Sequence, residues 1–150
     1  MKRILLIRHG QTDWNQEGRW QGHLDVPLNQ EGLEQARRVA EHLRGRPITA
    51  VYSSDLIRAR TTAEQIAAEY GLTVTTDASW RELHLGAFQG LTTSEISGIY
   101  PDALREMRED YLDYVIPGGE ARRAMQDRAY AAYRDIVARD SERLDPTRKE

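Results

Sequence analysis

Short apolar runs alternate with apolar stripes at helical spacing along the first half of the chain. The first run, residues 4–7, stops abruptly at Arg8, His9 and Gly10. A fully apolar run of this length predicts a buried strand, because it is too short for an independent helix or a membrane span. Residues 48–52 and 72–76 are short and rich in β-branched or aromatic side chains, which predicts two further strands, the last at a sheet edge.

Helices are predicted on both sides of the second strand. Asn29 can cap the helix before it, and Gly45 followed by Pro47 ends that helix. The helix after it has an apolar stripe between residues 56 and 67 and ends at Gly71. The order strand, helix, strand, helix predicts an α/β protein with a mainly parallel sheet.

A polar stretch, residues 13–29, separates the first strand from the first helix. It is rich in Gly, Asn, Gln and Asp, a composition that predicts a long loop and neither helix nor strand. Trp14 and Trp20 indicate that this loop is ordered, since large amphipathic rings tend to pack or to line a pocket.

The second half of the chain predicts helices of unequal length. Residues 91–113 are charged and interrupted by a glycine and a proline, which predicts two short helices that form a lid or cap. A tight turn at residues 117–120 leads into a final helix. The predicted buried face of that helix comprises Met125, Ala129, Ala132, Tyr133 and Ile136. Residues 140–150 are mostly charged and predict a frayed or disordered tail, so the folded domain is expected over residues 1–139.

Composition narrows the functional classes. A chain of 150 residues fits one domain, and a net charge of −3 gives no electrostatic argument for binding nucleic acid or an anionic membrane. The chain enters the first strand almost at once, which leaves no room for a signal peptide. The absence of cysteine excludes disulfides, thiolate zinc sites and cysteine nucleophiles, and the cytoplasm is the expected compartment.

Arg8 and His9 are candidate site residues because they follow the first strand. In open α/β sheets, ligands bind beyond the carboxyl ends of the strands. His9 can act as a nucleophile or an acid/base near neutral pH, and Arg8 offers a donor fork suited to phosphate or carboxylate. Gly10 allows a backbone turn and the close approach of a ligand. Taken alone, the pair is equally compatible with ordinary surface residues at a strand end.

Arg58 and Glu82 are the next candidates. Arg58 lies in the first turn of a predicted helix, beside free backbone N–H groups that favour an anion, although a solvated helix arginine also fits this position. Glu82 is flanked by Trp, Leu and Phe residues, and burial among them would favour the protonated carboxyl that a general acid needs. A plain surface glutamate is equally compatible with this segment, and His84 is interpreted as a packing residue.

Several spaced motifs follow one another in a characteristic order. They are LIRHGQTDWN at residues 6–15, QG at 21–22 with DVPL at 25–28, SDLIRARTTA at 54–63, ELHLGAFQG at 82–90 and PGGE at 117–120. In this order and spacing they resemble the histidine phosphatase superfamily, also called phosphoglycerate mutase-like, over about residues 3–139. The resemblance implies a three-layer α/β sandwich with a mainly parallel sheet flanked by helices.

The resemblance also implies a set of site residues. For catalysis these are the phosphorylated histidine His9, the phosphate-binding Arg8 and Arg58, and the acid/base Glu82. For substrate binding they are Asn15, Gln21 and Gly22, each of which would otherwise satisfy the backbone of its own loop. The implied reaction is hydrolysis of small phosphorylated metabolites through a phosphohistidine. It needs no cofactor and no metal, because the arginines supply the positive charge.

The chain departs from the family pattern near Arg139. The family has a second catalytic histidine after a strongly apolar strand, and no histidine follows His84 here. We therefore expect a domain that is incomplete at its C-terminus, with an exposed sheet edge through which a homodimer can form. The alternatives to a phosphohydrolase are a phosphoglycerate mutase-type phosphotransferase and a catalytically impaired phosphate-binding module. The short segment after Gly90 favours the phosphatase branch over the mutases.

Overall fold

The fold combines a small parallel sheet with helices, in a computed structural model that describes residues 3–143. Within these residues the chain forms six α-helices, two strands and two short 3₁₀ helices. In chain order the α-helices and strands are α1 (Asp13–Glu17), α2 (Gln30–Leu43), β1 (Val51–Ser53), α3 (Ile57–Glu69), β2 (Val74–Thr76), α4 (Thr93–Ile99), α5 (Pro101–Glu109) and α6 (Arg122–Arg143). The 3₁₀ helices are Ala78–Trp80 and Gly86–Phe88.

The strands β1 and β2 form a parallel pair around the helix α3. Val51 pairs with Val74 and Ser53 pairs with Thr76, while α3 packs on both strands and against α2. This β1–α3–β2 unit confirms the predicted α/β class and the parallel sheet. Both strands have only three residues, so they are shorter than the apolar runs that predicted them.

The prediction of a buried strand at residues 4–7 is wrong. The segment has no regular secondary structure, and its apolar side chains are exposed. Their exposed fractions are 49% for Ile4, 45% for Leu5, 89% for Leu6 and 41% for Ile7. A buried strand needs a hydrogen-bonded neighbour, and in the described part of the chain β1 pairs only with β2.

The backbone after this segment is held firmly against α2 and α3. Gly10 N donates a hydrogen bond to Thr62 Oγ1 over 3.1 Å. A Cβ atom on Gly10 would lie 2.3 Å from the carbonyl oxygen of Gly32, and a Cβ on Gly32 would lie 2.0 Å from that of Gln11. The φ angle of Gly10 is not in the left-handed region. Glycine is therefore required at position 10 by contact with the α2 backbone, and not by the turn that the sequence suggested.

The polar stretch at residues 13–29 contains a helix that the sequence did not predict. Thr12 caps α1 by accepting a hydrogen bond from Asn15 N (3.1 Å), and Asn15 Oδ1 accepts one from Thr12 N (2.9 Å). This reciprocal capping stabilises a short helix within a composition typical of loops. The prediction of neither helix nor strand is therefore wrong over Asp13–Glu17.

Two apolar clusters stabilise the described fold. The smaller one joins α2 to α3 through Ala40, Leu43 and Ile66. The larger one joins the segment after Arg81 to α4, α5 and the following turn. Its buried members are Leu83, Leu85, Phe88, Ile96, Leu104, Met107 and Ile116. The two predicted short helices are thus confirmed as α4 and α5, and their apolar faces form part of this core.

The final helix, α6, is the longest helix in the described residues. Of its predicted buried face, Ala132 is buried, while Tyr133 is 39% exposed and stacks on Tyr130. The prediction is wrong for Tyr133, because its ring packs along the helix surface and not into the core. The helix continues to Arg143, and residues 144–150 of the predicted tail lie outside the described residues. No helix in residues 3–143 is long and apolar enough to span a bilayer.

Candidate active site

His9 is half-buried and held by the backbone beside it. Its Nδ1 lies 2.7 Å from the carbonyl oxygen of Gly10. Because a carbonyl can only accept, Nδ1 carries the proton, and Nε2 of the neutral ring keeps a lone pair. Burial lowers the pKa of His9, and the charges of Arg58 and Arg8 lower it further, against the opposing effects of the Gly10 carbonyl and Glu82. The imidazole is therefore neutral at pH 7 and has a nucleophilic nitrogen.

Arg58 is the second residue of α3 and is only 2% exposed. Its Nη2 donates to the carbonyl of Gly22 (2.7 Å) and its Nη1 to that of Leu24 (2.8 Å). A guanidinium has five N–H donors, so these two bonds leave donors for a ligand. Burial lowers the pKa of Arg58, and Glu82 and Asp25 oppose this effect. The alternative of a solvated helix arginine is excluded.

The loop at residues 22–25, whose carbonyls bind Arg58, is itself held by further contacts. Asp25 Oδ1 accepts a hydrogen bond from Ile57 N over 2.6 Å, which supplies α3 with the cap that its own N-cap residue, Leu56, lacks. Gly22 has a φ of +54°, and a Cβ there would lie 2.5 Å from Gln89 Oε1. The loop and the start of α3 therefore hold each other in place.

Glu82 lies on the exposed side of its segment. The neighbouring Leu83 and Leu85 occupy the core positions, so the Glu82 carboxylate is not buried among the apolar residues that flank it. Its Oε1 accepts a hydrogen bond from Leu83 N over 2.9 Å. Arg81, which precedes it, forms a bidentate ion pair with Asp55 after β1. The expected desolvation of Glu82 is therefore wrong, because burial in this segment alternates from one residue to the next.

A chain of hydrogen bonds links the backbone beside His9 to Arg58 and to the backbone of Glu82. Gly10, next to His9, bonds to Thr62, which donates to the carbonyl of Arg58 over 2.8 Å. Arg58 bonds to Gly22, and the adjacent His23 donates from Nε2 to the carbonyl of Glu82 over 2.8 Å. The charges of Arg8, Arg58 and Glu82 all act on the pKa of His9. The arrangement combines one neutral imidazole, two guanidiniums and one carboxylate.

The three predicted substrate-binding residues have structural partners. Asn15 Oδ1 caps α1, and Gln21 Oε1 accepts a hydrogen bond from Thr12 Oγ1 over 3.0 Å. Gly22 contributes its carbonyl to Arg58. In this structure, each of the three residues therefore stabilises its own loop, which was the alternative to ligand binding.

Several residues around the site were not found from the sequence. Thr62 lies four positions after Arg58 on the same helix face, a spacing that could have indicated it. Asp25, Glu120 and Arg128 gave no local signal, because their partners are distant in the sequence. Among the described residues, no three His, Asp or Glu side chains form a group that could hold a metal ion.

The fold agrees with comparisons with known proteins. The model of the histidine phosphatase superfamily (branch 1) matches residues 4–144. The chain belongs to the histidine phosphatase superfamily.

Mutase-like proteins are among the sequence relatives. The chain is 48% identical over 136 residues to phosphoglycerate mutase-like protein 4 of Arabidopsis thaliana, covering 89% of this chain and 59% of that protein. It is 39% identical over 132 residues to the probable phosphoglycerate mutase GpmB of Salmonella choleraesuis, covering 88% of this chain and 61% of that protein. The chain thus spans about three-fifths of the length of these curated relatives.

A solved structure has the same fold. The mycobacterial glucosyl-3-phosphoglycerate phosphatase in complex with VO3 matches with a TM-score of 0.80 and 40% identity, over 89% of this chain and 64% of that one. A structure described as mycobacterial hydrolase 1 matches equally well, with a TM-score of 0.80 and 40% identity over 89% of this chain and 62% of that one.

Proposed function

We propose that this chain is a phosphohydrolase for small phosphate monoesters, with His9 as the nucleophile. The observation that carries this proposal is the neutral His9 ring, protonated at Nδ1 by its bond to Gly10, beside the cations Arg8 and Arg58. A nucleophilic nitrogen within a cationic site suits in-line attack on an anionic phosphorus centre.

The reaction has two balanced steps. In the first, Nε2 of His9 forms a bond to phosphorus while the bond to the ester oxygen breaks, and Glu82, which has first taken up a proton from solvent, gives that proton to the departing alkoxide. In the second, water attacks the phosphohistidine, Glu82 takes a proton from that water, and inorganic phosphate leaves with His9 restored. Arg8 and Arg58 stabilise the charge on the transferred oxygens in both steps, and the proposal uses no metal and no cofactor.

The comparisons support hydrolysis as the leading reaction. One structural neighbour is named as a glucosyl-3-phosphoglycerate phosphatase, and another as a hydrolase. The mutase-like names of the sequence relatives support phosphoryl transfer to an acceptor as a second candidate. A phosphate-binding module with impaired catalysis is the third candidate.

The test is turnover of p-nitrophenyl phosphate by the chain as it stands. We expect hydrolysis that His9→Ala abolishes and that the matched His42→Ala, at an exposed position of α2, leaves unchanged. Vanadate, which mimics the transferring phosphoryl group, should inhibit competitively. Phosphate release that depends on a phosphoglycerate acceptor would favour the mutase, and phosphate binding without turnover would favour the impaired module.

The substrate class and the compartment are part of the same proposal. We expect small phosphorylated metabolites, and not nucleic acid, as substrates, because the net charge of −3 gives no attraction to nucleic acid. A cytoplasmic location is supported by the absence of cysteine, and fractionation of the source cells would test it.

A further inference from the structure

Arg128, on α6, binds the backbone on the N-terminal side of Glu82. Its Nη1 donates to the carbonyls of Ser79 (2.8 Å) and Arg81 (2.7 Å), and its Nη2 donates to the carbonyl of Glu82 (2.9 Å). One guanidinium thus binds three carbonyls within four residues. Bonds from a charged donor are stronger than neutral ones, so this segment is held closely to α6.

Glu120 fixes both Arg128 and the backbone on the other side of Glu82. Its Oε1 accepts from Arg128 Nη2 over 2.5 Å and from His84 N over 2.9 Å, and Glu120 N donates to the carbonyl of His84 over 3.0 Å. Burial acts to raise the pKa of Glu120, but the bonds from Arg128 and His84 outweigh it and lower the pKa. The carboxylate is therefore ionised at neutral pH and anchors Arg128.

His23 provides a second donor to the same peptide group. Its Nε2 donates to the carbonyl of Glu82 over 2.8 Å, and its ring lies edge-on to that of His84 with centroids 4.5 Å apart. With Arg128, it occupies both lone pairs of this carbonyl. By contrast, the Glu82 carboxylate is exposed and accepts a hydrogen bond from the adjacent Leu83 N.

We propose that Arg128, supported by His23, is a positioning residue that holds Glu82 for proton transfer. This inference rests on the proposed function, in which Glu82 is the acid/base. The Glu82 side chain lies in solvent, so its place relative to His9 follows from the backbone that carries it. Releasing three carbonyls lets that backbone shift, and a displacement of about 1 Å of a catalytic group costs about 10²-fold in rate.

The test compares two leaving groups through kcat/KM, which reports only the steps up to loss of the leaving group. An alkyl phosphate needs protonation by Glu82, whereas p-nitrophenyl phosphate scarcely does. Glu82→Gln should slow the alkyl ester about 10²- to 10⁴-fold and the aryl ester much less. Arg128→Met should show the same selectivity, with a loss of about 10- to 100-fold on the alkyl ester and about 3-fold or less on the aryl ester.

Three further variants sharpen the comparison. Arg134→Met, at an exposed position of the same helix, should leave both rates unchanged. Arg128→Lys, which keeps a cation but not the fork, should restore part of the alkyl ester rate. The double variant Glu82→Gln/Arg128→Met should show no selectivity beyond that of Glu82→Gln, because the two residues act as one unit.

Each outcome has a defined consequence. Equal losses on both esters in Arg128→Met, or a lower melting temperature with unchanged leaving-group selectivity, would overturn the inference and leave the proposed function intact. If Glu82→Gln shows no selectivity, or the chain shows no turnover, the proposed function of Glu82 fails and the inference falls with it. If Arg128→Met does not fold, His23→Leu removes one of the two donors to Glu82 and must show the same selectivity in smaller degree.

Discussion

Because the backbones of Gly32 and Gln11 are in close contact, we expect the variant Gly32→Ala to lose both stability and activity. A Cβ at position 32 would lie 2.0 Å from the Gln11 carbonyl oxygen and 2.7 Å from its nitrogen. To reach ordinary contact at 3.4 Å, the two backbones must separate by about 1.4 Å, because neither atom belongs to a flexible side chain. Gln11 is two residues from His9, so the nucleophile moves with it.

The magnitude follows from two competing effects. In a helix, replacing Gly by Ala is favourable by about 0.8–1.0 kcal/mol, whereas overpacking costs about 1–3 kcal/mol. The net change is a loss of up to about 2 kcal/mol in the free energy of unfolding. A displacement of this size at the nucleophile should lower kcat/KM by about 10²-fold or more, since about 1 Å is enough for such a loss.

Gly98 provides a matched control. It also lies within a helix, α4, but a Cβ there meets nothing within 4 Å. Gly98→Ala should therefore raise the unfolding free energy by up to about 1 kcal/mol and leave kcat/KM unchanged. Urea unfolding and turnover of p-nitrophenyl phosphate measure both quantities. If Gly32→Ala is as stable and as active as Gly98→Ala, the backbone at residues 10–11 does not place His9 as we argue.

Four other predictions follow from particular features of the structure. Because burial lowers the pKa of His9 below 6.5, the unfolded chain binds this proton more readily, so stability should be lost as the pH falls below 6.5. The value of kcat/KM should also decrease as the pH falls, because protonation of His9 removes the nucleophile, and the midpoint of this decrease should lie below 6.5. A midpoint above 6.5 would contradict this expectation. We propose that two copies associate through the exposed apolar residues 4–7. In analytical ultracentrifugation, Leu6→Ser should lower the fraction of dimer, and the matched Leu33→Ser, on α2, should not. A chain that is monomeric at all concentrations would refute this proposal. Asp25→Ala removes the cap of α3 and should lower the free energy of unfolding, measured in urea, by about 1 kcal/mol. Asp127→Ala, at an exposed position of α6, should leave it unchanged, and equal stability of the two variants would show that the cap is dispensable.

The helices were largely predictable because their signals are local. Asn29 was expected to cap α2, and its Oδ1 accepts from Gly32 N over 2.9 Å. The capping pair of Thr12 and Asn15 is equally local, but the polar composition around it concealed α1. The apolar run at residues 4–7 shows the limit of such signals, because burial depends on a neighbouring strand that the run does not specify.

The surroundings of the candidate site residues were not predictable from the sequence. Arg8, His9, Arg58 and Glu82 were expected to lie together. Arg8, Arg58 and Glu82 lie near enough to His9 for their charges to act on its pKa, and their catalytic roles stay a prediction. The burial of Arg58 was not expected, because it depends on carbonyls 34 and 36 residues away in the chain. Arg128 was missed for the same reason, since its carbonyl partners are 46 to 49 residues away.

The mutual hold between Arg58 and its loop implies a thermodynamic linkage. Arg58 binds the carbonyls of Gly22 and Leu24, and Asp25 of that loop binds the amide of Ile57 beside Arg58. If phosphate binds Arg58 while the guanidinium holds these two carbonyls, the loop and the ligand stabilise each other by the same free energy. The Ile57 amide should then exchange its hydrogen more slowly as phosphate saturates the site.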